Sequence, residues 1–325
     1  MTAELHIIVL NFRTPAYTVA CLKSLESEMP SVPGTMVHLI DNGSGDDSVP
    51  VIEGEIAQHA WSDWLRFIPL PKNLGFAGGN NVLMREILGM ADAPEFVLLL
   101  NSDTVVHPGC LKSCLAAMKN NPEVGAMSCL LRNGDGSVQN EARRFPRPDR
   151  ETVRAIGLPW LAPKLFSWAN LDDSSWDRAT TIRNVEWIGG AFLLVRTAVL
   201  RQVGVLSDEF FFYGEDIEFC YRIHLGGWKI QHNPCGSITH YGGASSGETH
   251  IRNHARDLLT WNARFLVQKL CYGKVASIWM RIVYIKIFGL RTLWLFLSGQ
   301  RNTPKYKSIQ GGFRMLLGSL TRKVL

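Results

Sequence analysis

The chain has 325 residues, 46% hydrophobic and 19% charged, an ordinary globular composition with ample material for a buried core. The seven cysteines are scattered, odd in number and without a CxxC pair, and Cys110 and Cys114, at helical spacing, read as buried thiols rather than ligands. The net charge of +5 is uneven, because no Asp or Glu follows Asp257 while twelve Lys and Arg do.

A net-acidic body and a basic, apolar tail are therefore expected. The first residues, Met1-Thr2-Ala3-Glu4-Leu5-His6, lack the basic start and apolar core of a signal peptide. With the cysteine usage, this predicts a reducing, cytosolic setting.

Leu5 to Asn11 is a short apolar run rich in β-branched residues and predicts a buried strand. Pro15 opens a helix through Leu22 and Leu25. Met36 to Ile40 is the next strand, stopped by Asp41-Asn42-Gly43-Ser44-Gly45. Leu65 to Ile68 is a third, leading through Pro71 into the Gly- and Asn-rich segment Asn73 to Asn81, with a helix following through Met84 and Leu88. Phe96 to Leu100, the most apolar strand, runs into Asn101-Ser102-Asp103. This alternation predicts an α/β protein with an open, mostly parallel central sheet flanked by helices. Ligands of such sheets bind beyond the carboxyl ends of the strands, where Asp41, Asn73 to Asn81 and Asp103 all fall.

From Arg143 to about Arg183 the periodicity weakens, as in a long loop over a site or a small insertion. Regular structure resumes at Trp187-Ile188-Gly189-Gly190. A helix is predicted from about Glu215, and a late strand, Ser237-Ile238-Thr239, carries His240.

Glu215 and Asp216 lie behind the aromatic run Phe210-Phe211-Phe212-Tyr213. A carboxylate beside an apolar wall becomes more basic through partial desolvation, which suits a general base. Acidic residues also begin helices routinely. Asp103 either caps a helix or serves as a hard oxygen ligand for a cation that binds a diphosphate. His240 is either a structural histidine or a ligand. The glycines at 75, 78 and 79 lack the register of a dinucleotide fingerprint.

Taken in order, Asn11, Asp41-Asn42-Gly43-Ser44, Asn73-x-Gly75-Phe76-Ala77-x-Gly79-Asn80, Asn101-Ser102-Asp103, Gly189-Gly190-Ala191-Phe192, Glu215-Asp216 and His240 closely resemble family 2 glycosyltransferases. The similarity covers about residues 5 to 245 and is nearest to the non-processive, rhamnosyltransferase-like branch; no Q-x-x-R-W motif is present. The resemblance implies a GT-A fold. Its catalytic domain would span residues 1–252, with a nucleotide-binding part to about 130 and an acceptor-binding part over 131–252.

The resemblance also implies roles. Asp41 would read a pyrimidine ring, with Asn11 on the nucleotide wall. Asn73, Gly75 and Asn80 would frame the ribose and diphosphate, joined by Asn101, Ser102 and Gly190. Asn101-Ser102-Asp103 stands where the family carries a DxD, so Asp103 would hold Mg²⁺ or Mn²⁺, with His240 as a second ligand. Asp216 would be the catalytic base and Glu215 its neighbour. The implied reaction is inverting, metal-dependent transfer of a sugar, first rhamnose from dTDP-rhamnose, to a polyprenyl-diphosphate-linked saccharide in cell-surface polysaccharide synthesis. UDP-sugar galactosyl, galactofuranosyl or glucosyl transfer is the alternative. From other classes stand a sugar-1-phosphate nucleotidyltransferase and a non-catalytic sugar-nucleotide-binding protein. No nucleic-acid partner is expected, and an oligomer remains open.

Residues 253–325 read as helical. Val275 to Leu297 has the length of a membrane span, but Arg281, Lys286 and Arg291 would each cost roughly 2.5–3.5 kcal/mol near a bilayer centre. Trp279, Trp294 and the basic segment 301–323 fit instead a helix lying on an anionic cytoplasmic leaflet, with a core helix packed on the catalytic domain as the alternative.

Overall fold

A computed structural model describes residues 4–173, 175–242 and 253–321. Contacts divide the chain into two compact units, residues 1–145 with 172–253, and residues 146–171 with 254–325.

The first unit begins with β1 (Leu5–Asn11), α1 (Pro15–Glu28), β2 (Met36–Asp41), α2 (Ser48–His59), β3 (Leu65–Pro69), α3 (Gly75–Gly89) and β4 (Phe96–Asn101). Then come β5 (Thr104–Val106), α4 (Cys110–Asn120), β6 (Val124–Arg132) and β7 (Ala142–Arg143). In the second unit, α5 (Pro148–Ala155) and α6 (Leu158–Leu161) follow. Back in the first are β8 (Arg183–Val185), β9 (Trp187–Ile188), β10 (Phe192–Arg196), α7 (Thr197–Val203), α8 (Glu215–Leu225) and β11 (Lys229–His240).

The main sheet runs β3-β2-β1-β4-β10-β6-β11-β5, with β8 also on β11. Its first four strands are parallel, β10 enters antiparallel to both β4 and β6, and β11 lies parallel to β6. From β1 the chain winds outward to β3 and returns to place β4 on the other flank of β1. That reversal opens a crevice at the carboxyl ends of β1 and β4, where open α/β sheets bind ligands.

Period-two alternation builds a core on each face. Ile7 and Val9 of β1 and Phe96, Leu98 and Leu100 of β4 join Leu22, Leu25 and Leu111 on one side. Ile8, Val97 and Leu99 join Leu83, Met84 and Phe219 on the other. A strand buried on both faces must be apolar throughout, which is why β1 and β4 were legible as continuous runs. Each such side chain contributes roughly 1.5–3 kcal/mol on burial. All seven cysteines are free, and Cys110 and Cys114 are buried thiols, as expected.

Two boundaries differ from the sequence reading. Asn73 to Asn81 is not a loop throughout: α3 already begins at Gly75. Its glycines mimic a loop but serve close packing, since a Cβ on Gly79 would meet Leu10 at 2.7 Å. The late strand is also longer than Ser237 to Thr239, because β11 carries an irregularity between His232 and Ser237 that breaks its alternation.

The second unit continues with α9 (Asn253–Leu297), which turns at Gly273 (φ 88°), and α10 (Pro304–Thr321). Phe265, Met280, Tyr284 and Leu316 form its core, with Ala155 of α5 and Trp261 against them. Buried Glu151 accepts hydrogen bonds from Tyr284 (2.7 Å) and Arg154 (2.6 Å). No helix among the described residues is long and apolar enough to cross a membrane. Arg322 and Lys323 of the basic segment lie outside the described residues.

Candidate active site

At the ends of β1 and β2, Asn11 donates to Asp41 Oδ2 (2.7 Å), and Ser44 donates to Asp41 through its amide (3.0 Å) and hydroxyl (2.6 Å). Asn11 Oδ1 in turn accepts from the hydroxyls of Thr18 (2.8 Å) and Thr14 (3.1 Å). Asn11 and Asp41 are buried, and this corner is a closed polar network. Beside it Asn42 donates to Asn73 (3.1 Å) and to the carbonyl of Gly75 (3.0 Å), and accepts from the Leu74 amide (3.0 Å). Asn42 thus fixes the entry to α3. Gly43 has to be glycine, with φ 67° and a Cβ that would lie 2.3 Å from the Lys72 carbonyl carbon.

The same entry meets the aromatic loop. Phe76 N donates to Phe211 O (2.8 Å), and a Cβ on Gly75 would lie 2.1 Å from that oxygen. Tyr213 (φ 72°) and Gly214 (φ 93°) then take two successive left-handed conformations immediately before the acidic pair. A tyrosine there is strained, and such strain collects at functional sites. Both acids sit on the first turn of α8, at its electropositive end.

Glu215 is buried and its Oε2 has no hydrogen-bond partner. Burial, and then the neighbouring Asp216 charge, push its carboxyl up to about 8. Burial pushes Asp216 up to about 6, opposed by hydrogen bonds from the amides of Ile217 and Gly190. Asp216 remains partly open to solvent.

Across the crevice, Asp103 and His240 approach at 3.3 Å (Oδ1 to Nε2), both largely buried. His240 Nδ1 lies 2.7 Å from Gln139 Oε1, and Asn101 Nδ2 lies 3.2 Å from Nε2. With Nδ1 donating to Gln139, Nε2 keeps its lone pair, the arrangement in which histidine ligates metals. Asp103 Oδ1 and Ser102 Oγ are buried without a hydrogen-bond partner. Among the described residues no group of three or more His, Cys, Asp and Glu side chains is arranged to hold a metal. Asp103 and His240 therefore fit a divalent cation whose remaining ligands are oxygens of another molecule and water.

These corners form one site. Asn101 N donates to Ala191 O (3.1 Å), which seats the Gly189–Ala191 turn between His240 and Asp216. Gly190 packs on Phe76, where a Cβ would come within 3.0 Å of its ring. Asn80, also singled out from sequence, is engaged within its own helix. It is buried and donates to Phe76 O (2.9 Å) inside α3.

Three residues were missed: Asn42, Gln139 and Glu141. Glu141 Oε2 lies 2.1 Å from where a Gly189 Cβ would stand, and its carboxyl, raised by burial, feels His240 and Asp216. Asn42 was visible in the Asp41-Asn42-Gly43 turn. Gln139 and Glu141 lie in the connection between β6 and β7, where no motif marked them.

The fold is that of the GT-A glycosyltransferases, and its site joins a polar pocket, an acidic pair and a candidate metal corner. The sequence profile described as "Glycosyltransferase like family 2" matches residues 3–260, and the chain belongs to that family. It is therefore a glycosyltransferase, which sets aside the nucleotidyltransferase and binding-protein readings. It is 28% identical over 265 residues to N-acetylglucosaminyl-diphospho-decaprenol L-rhamnosyltransferase of Mycobacterium tuberculosis, covering 78% of this chain and 82% of that one. It is 25% identical to the low-salt glycan biosynthesis hexosyltransferase Agl10 of Haloferax volcanii, over 91% of this chain and 84% of the other. Among solved structures it resembles the mannosyltransferase PcManGT of Pyrobaculum calidifontis, in complex with GDP-Man and Mn²⁺. The TM-score is 0.55 at 13% identity, covering 98% of this chain and 86% of that one.

Proposed function

We propose that the protein transfers a sugar, with inversion, from a nucleotide sugar to a lipid-linked saccharide, and that the donor is dTDP-rhamnose. The observation that carries the reaction is the pairing within one crevice of Asp216, which burial makes more basic, with Asp103 and His240. The rhamnosyl and lipid-linked parts are supported by the name of the mycobacterial relative.

In this reading Asn11, Asp41 and Asn42 hold the nucleoside wall, and Asn73 and Gly75 border the diphosphate. Asp216 accepts the proton of the acceptor hydroxyl as its oxygen attacks the anomeric carbon, and the bond from that carbon to the diphosphate oxygen breaks in the same step. One displacement inverts the configuration. Mg²⁺ or Mn²⁺ held by Asp103 and His240 would supply charge neutralisation for the departing diphosphate. Glu215, protonated at neutral pH, donates or accepts a hydrogen bond at an acceptor hydroxyl without adding a second negative charge. Glu141 lines the floor between base and metal corner.

The test is a donor panel with purified protein, with and without Mn²⁺, read as slow nucleotide-sugar hydrolysis. Turnover confined to dTDP-rhamnose is expected. Preference for UDP-galactose, UDP-galactofuranose or UDP-glucose would replace the donor while leaving the reaction class intact.

A further inference from the structure

Exposed large apolar side chains gather in the second unit. After Gly273, the α9 residues Val275, Trp279, Ile282, Leu290, Leu293 and Leu297 are exposed and recur at helical spacing, with exposed Lys286 on the same line. At 1.5 Å per residue this stripe is about 33 Å long. The opposite side of the helix is the buried one, with Met280, Tyr284 and Leu295.

A second apolar cluster lies where the sequence showed only weak periodicity. Trp160 is 88% exposed, Leu161 72%, Leu165 69% and Ile156 55%. Four large apolar side chains facing solvent within ten residues are not scattered surface residues. The helix that leads into them, α5, is tied to α9: Trp279 Nε1 donates to Thr152 Oγ1 (2.9 Å), Tyr284 donates to Glu151 (2.7 Å), and Ile156 N closes the end of α5 on Thr152 O (3.1 Å).

Charge selects what covers these surfaces. The unit holds seventeen Lys and Arg against three Asp and Glu. A second copy would bring two strongly basic surfaces together, whereas an anionic bilayer neutralises them. Trp160, Trp279 and Trp294 suit the headgroup level of such a surface.

We infer that residues 156–165 form a second bilayer-inserting element, which acts with the exposed stripe of α9 on an anionic lipid surface. Only the purpose of this contact rests on the lipid-linked acceptor; the contact itself is independent of the sugar transferred. The test uses the full-length chain and phosphatidylcholine vesicles with and without phosphatidylglycerol, in the absence of any donor. Combined Trp160→Ser, Leu161→Ser and Leu165→Ser substitutions should lower the partition coefficient into anionic vesicles about tenfold to a hundredfold. Far-UV circular dichroism and the melting temperature should stay unchanged, because the three side chains face solvent. Trp160→Phe should also remove a component of fluorescence quenching by brominated lipid. Unchanged partitioning of the triple variant would overturn the proposal. So would a concentration-dependent dimer, seen by sedimentation velocity without vesicles and abolished by the same substitutions, which would make a second copy the occupant. Vesicle binding by a protein that transfers no rhamnose would uphold the surface and refute the donor alone.

Discussion

Residues 1–145 and 172–253 hold seventeen Lys and Arg against twenty-six Asp and Glu; residues 146–171 and 254–325 hold seventeen against three. In the acidic unit several carboxylates are turned inward and used for geometry. Glu28 is buried and accepts from the amides of Gly109 (2.6 Å) and Leu111 (2.9 Å), capping α4, and Asp41 ties β1 to β2. Asp103, Glu215 and Asp216 differ from these in keeping unsatisfied or solvent-facing oxygens in the crevice. In the basic unit Glu151 is turned inward, while Lys274, Lys286 and Arg291 face solvent beside apolar residues. Under the function proposed above, one net charge of +5 conceals two uses: negative charge held at a reacting centre, and positive charge displayed to a surface.

The sharpest way to break this comparison is at the proposed base. Asp216→Asn should lower turnover about 10²–10⁴-fold, the usual worth of a positioned acid–base group, with nucleotide-sugar affinity nearly intact. Near-normal transfer would remove Asp216 from the role. An equal loss in Glu215→Gln alone would assign the role to the neighbour.

A smaller effect is expected at the metal corner. Asp103→Ala should weaken nucleoside-diphosphate binding in the presence of Mn²⁺ about tenfold to a hundredfold, by titration calorimetry. His240→Ala should cost less, and Gln139→Ala less again, because it acts only by fixing the histidine tautomer. Unchanged affinity in Asp103→Ala would contradict the cation site.

On the basic side the steps are smaller still. Each Lys or Arg near an anionic surface contributes about 1 kcal/mol, so Lys286→Ala or Arg291→Ala should weaken vesicle binding about fivefold at low salt. Rising salt should weaken the wild type while leaving an apolar residue of binding, since only the charge part is screened. Salt-independent binding would mean that charge plays no part. Point substitutions are the right tool here. A cut at residue 272 would strip Met280, Tyr284 and Leu316 from around Phe265 and leave Glu151 without Tyr284.

Much of this was legible in the residues because periodicity and strand-end polarity are local. β1 and β4 are apolar on both faces, and Asn11, Asp41 and Asp103 mark the ends of the crevice. Other features were not legible because they depend on long-range contacts. Gly75 and Gly79 look like loop residues until Phe211 and Leu10 are seen against them. Gln139 acquires meaning only through His240, a hundred and one residues away in sequence. Residues 156–165 read as aperiodic because their apolar side chains face outward, where no core imposes a period.

The last effect concerns Glu215 and stability rather than rate. Its carboxyl is held up to about 8 by burial and by the adjacent Asp216 charge, well above its value in the unfolded chain. The folded state therefore binds an extra proton between those two values. The stability linked to that proton is fully present below the unfolded value near 4.5 and is lost as pH rises through about 8. Asp216, raised to about 6, pulls in the same direction over the lower part of that window. Glutamine keeps the shape of the protonated acid and cannot ionise. Glu215→Gln should thus melt with the wild type at pH 5 and exceed it at pH 9 by on the order of a few kcal/mol, a gain of several degrees. Thermal melts at the two pH values check it. An equal offset at both would mean that packing, and not the buried charge, separates the two proteins, and Glu215 would then have no claim to be an acid kept neutral beside the base.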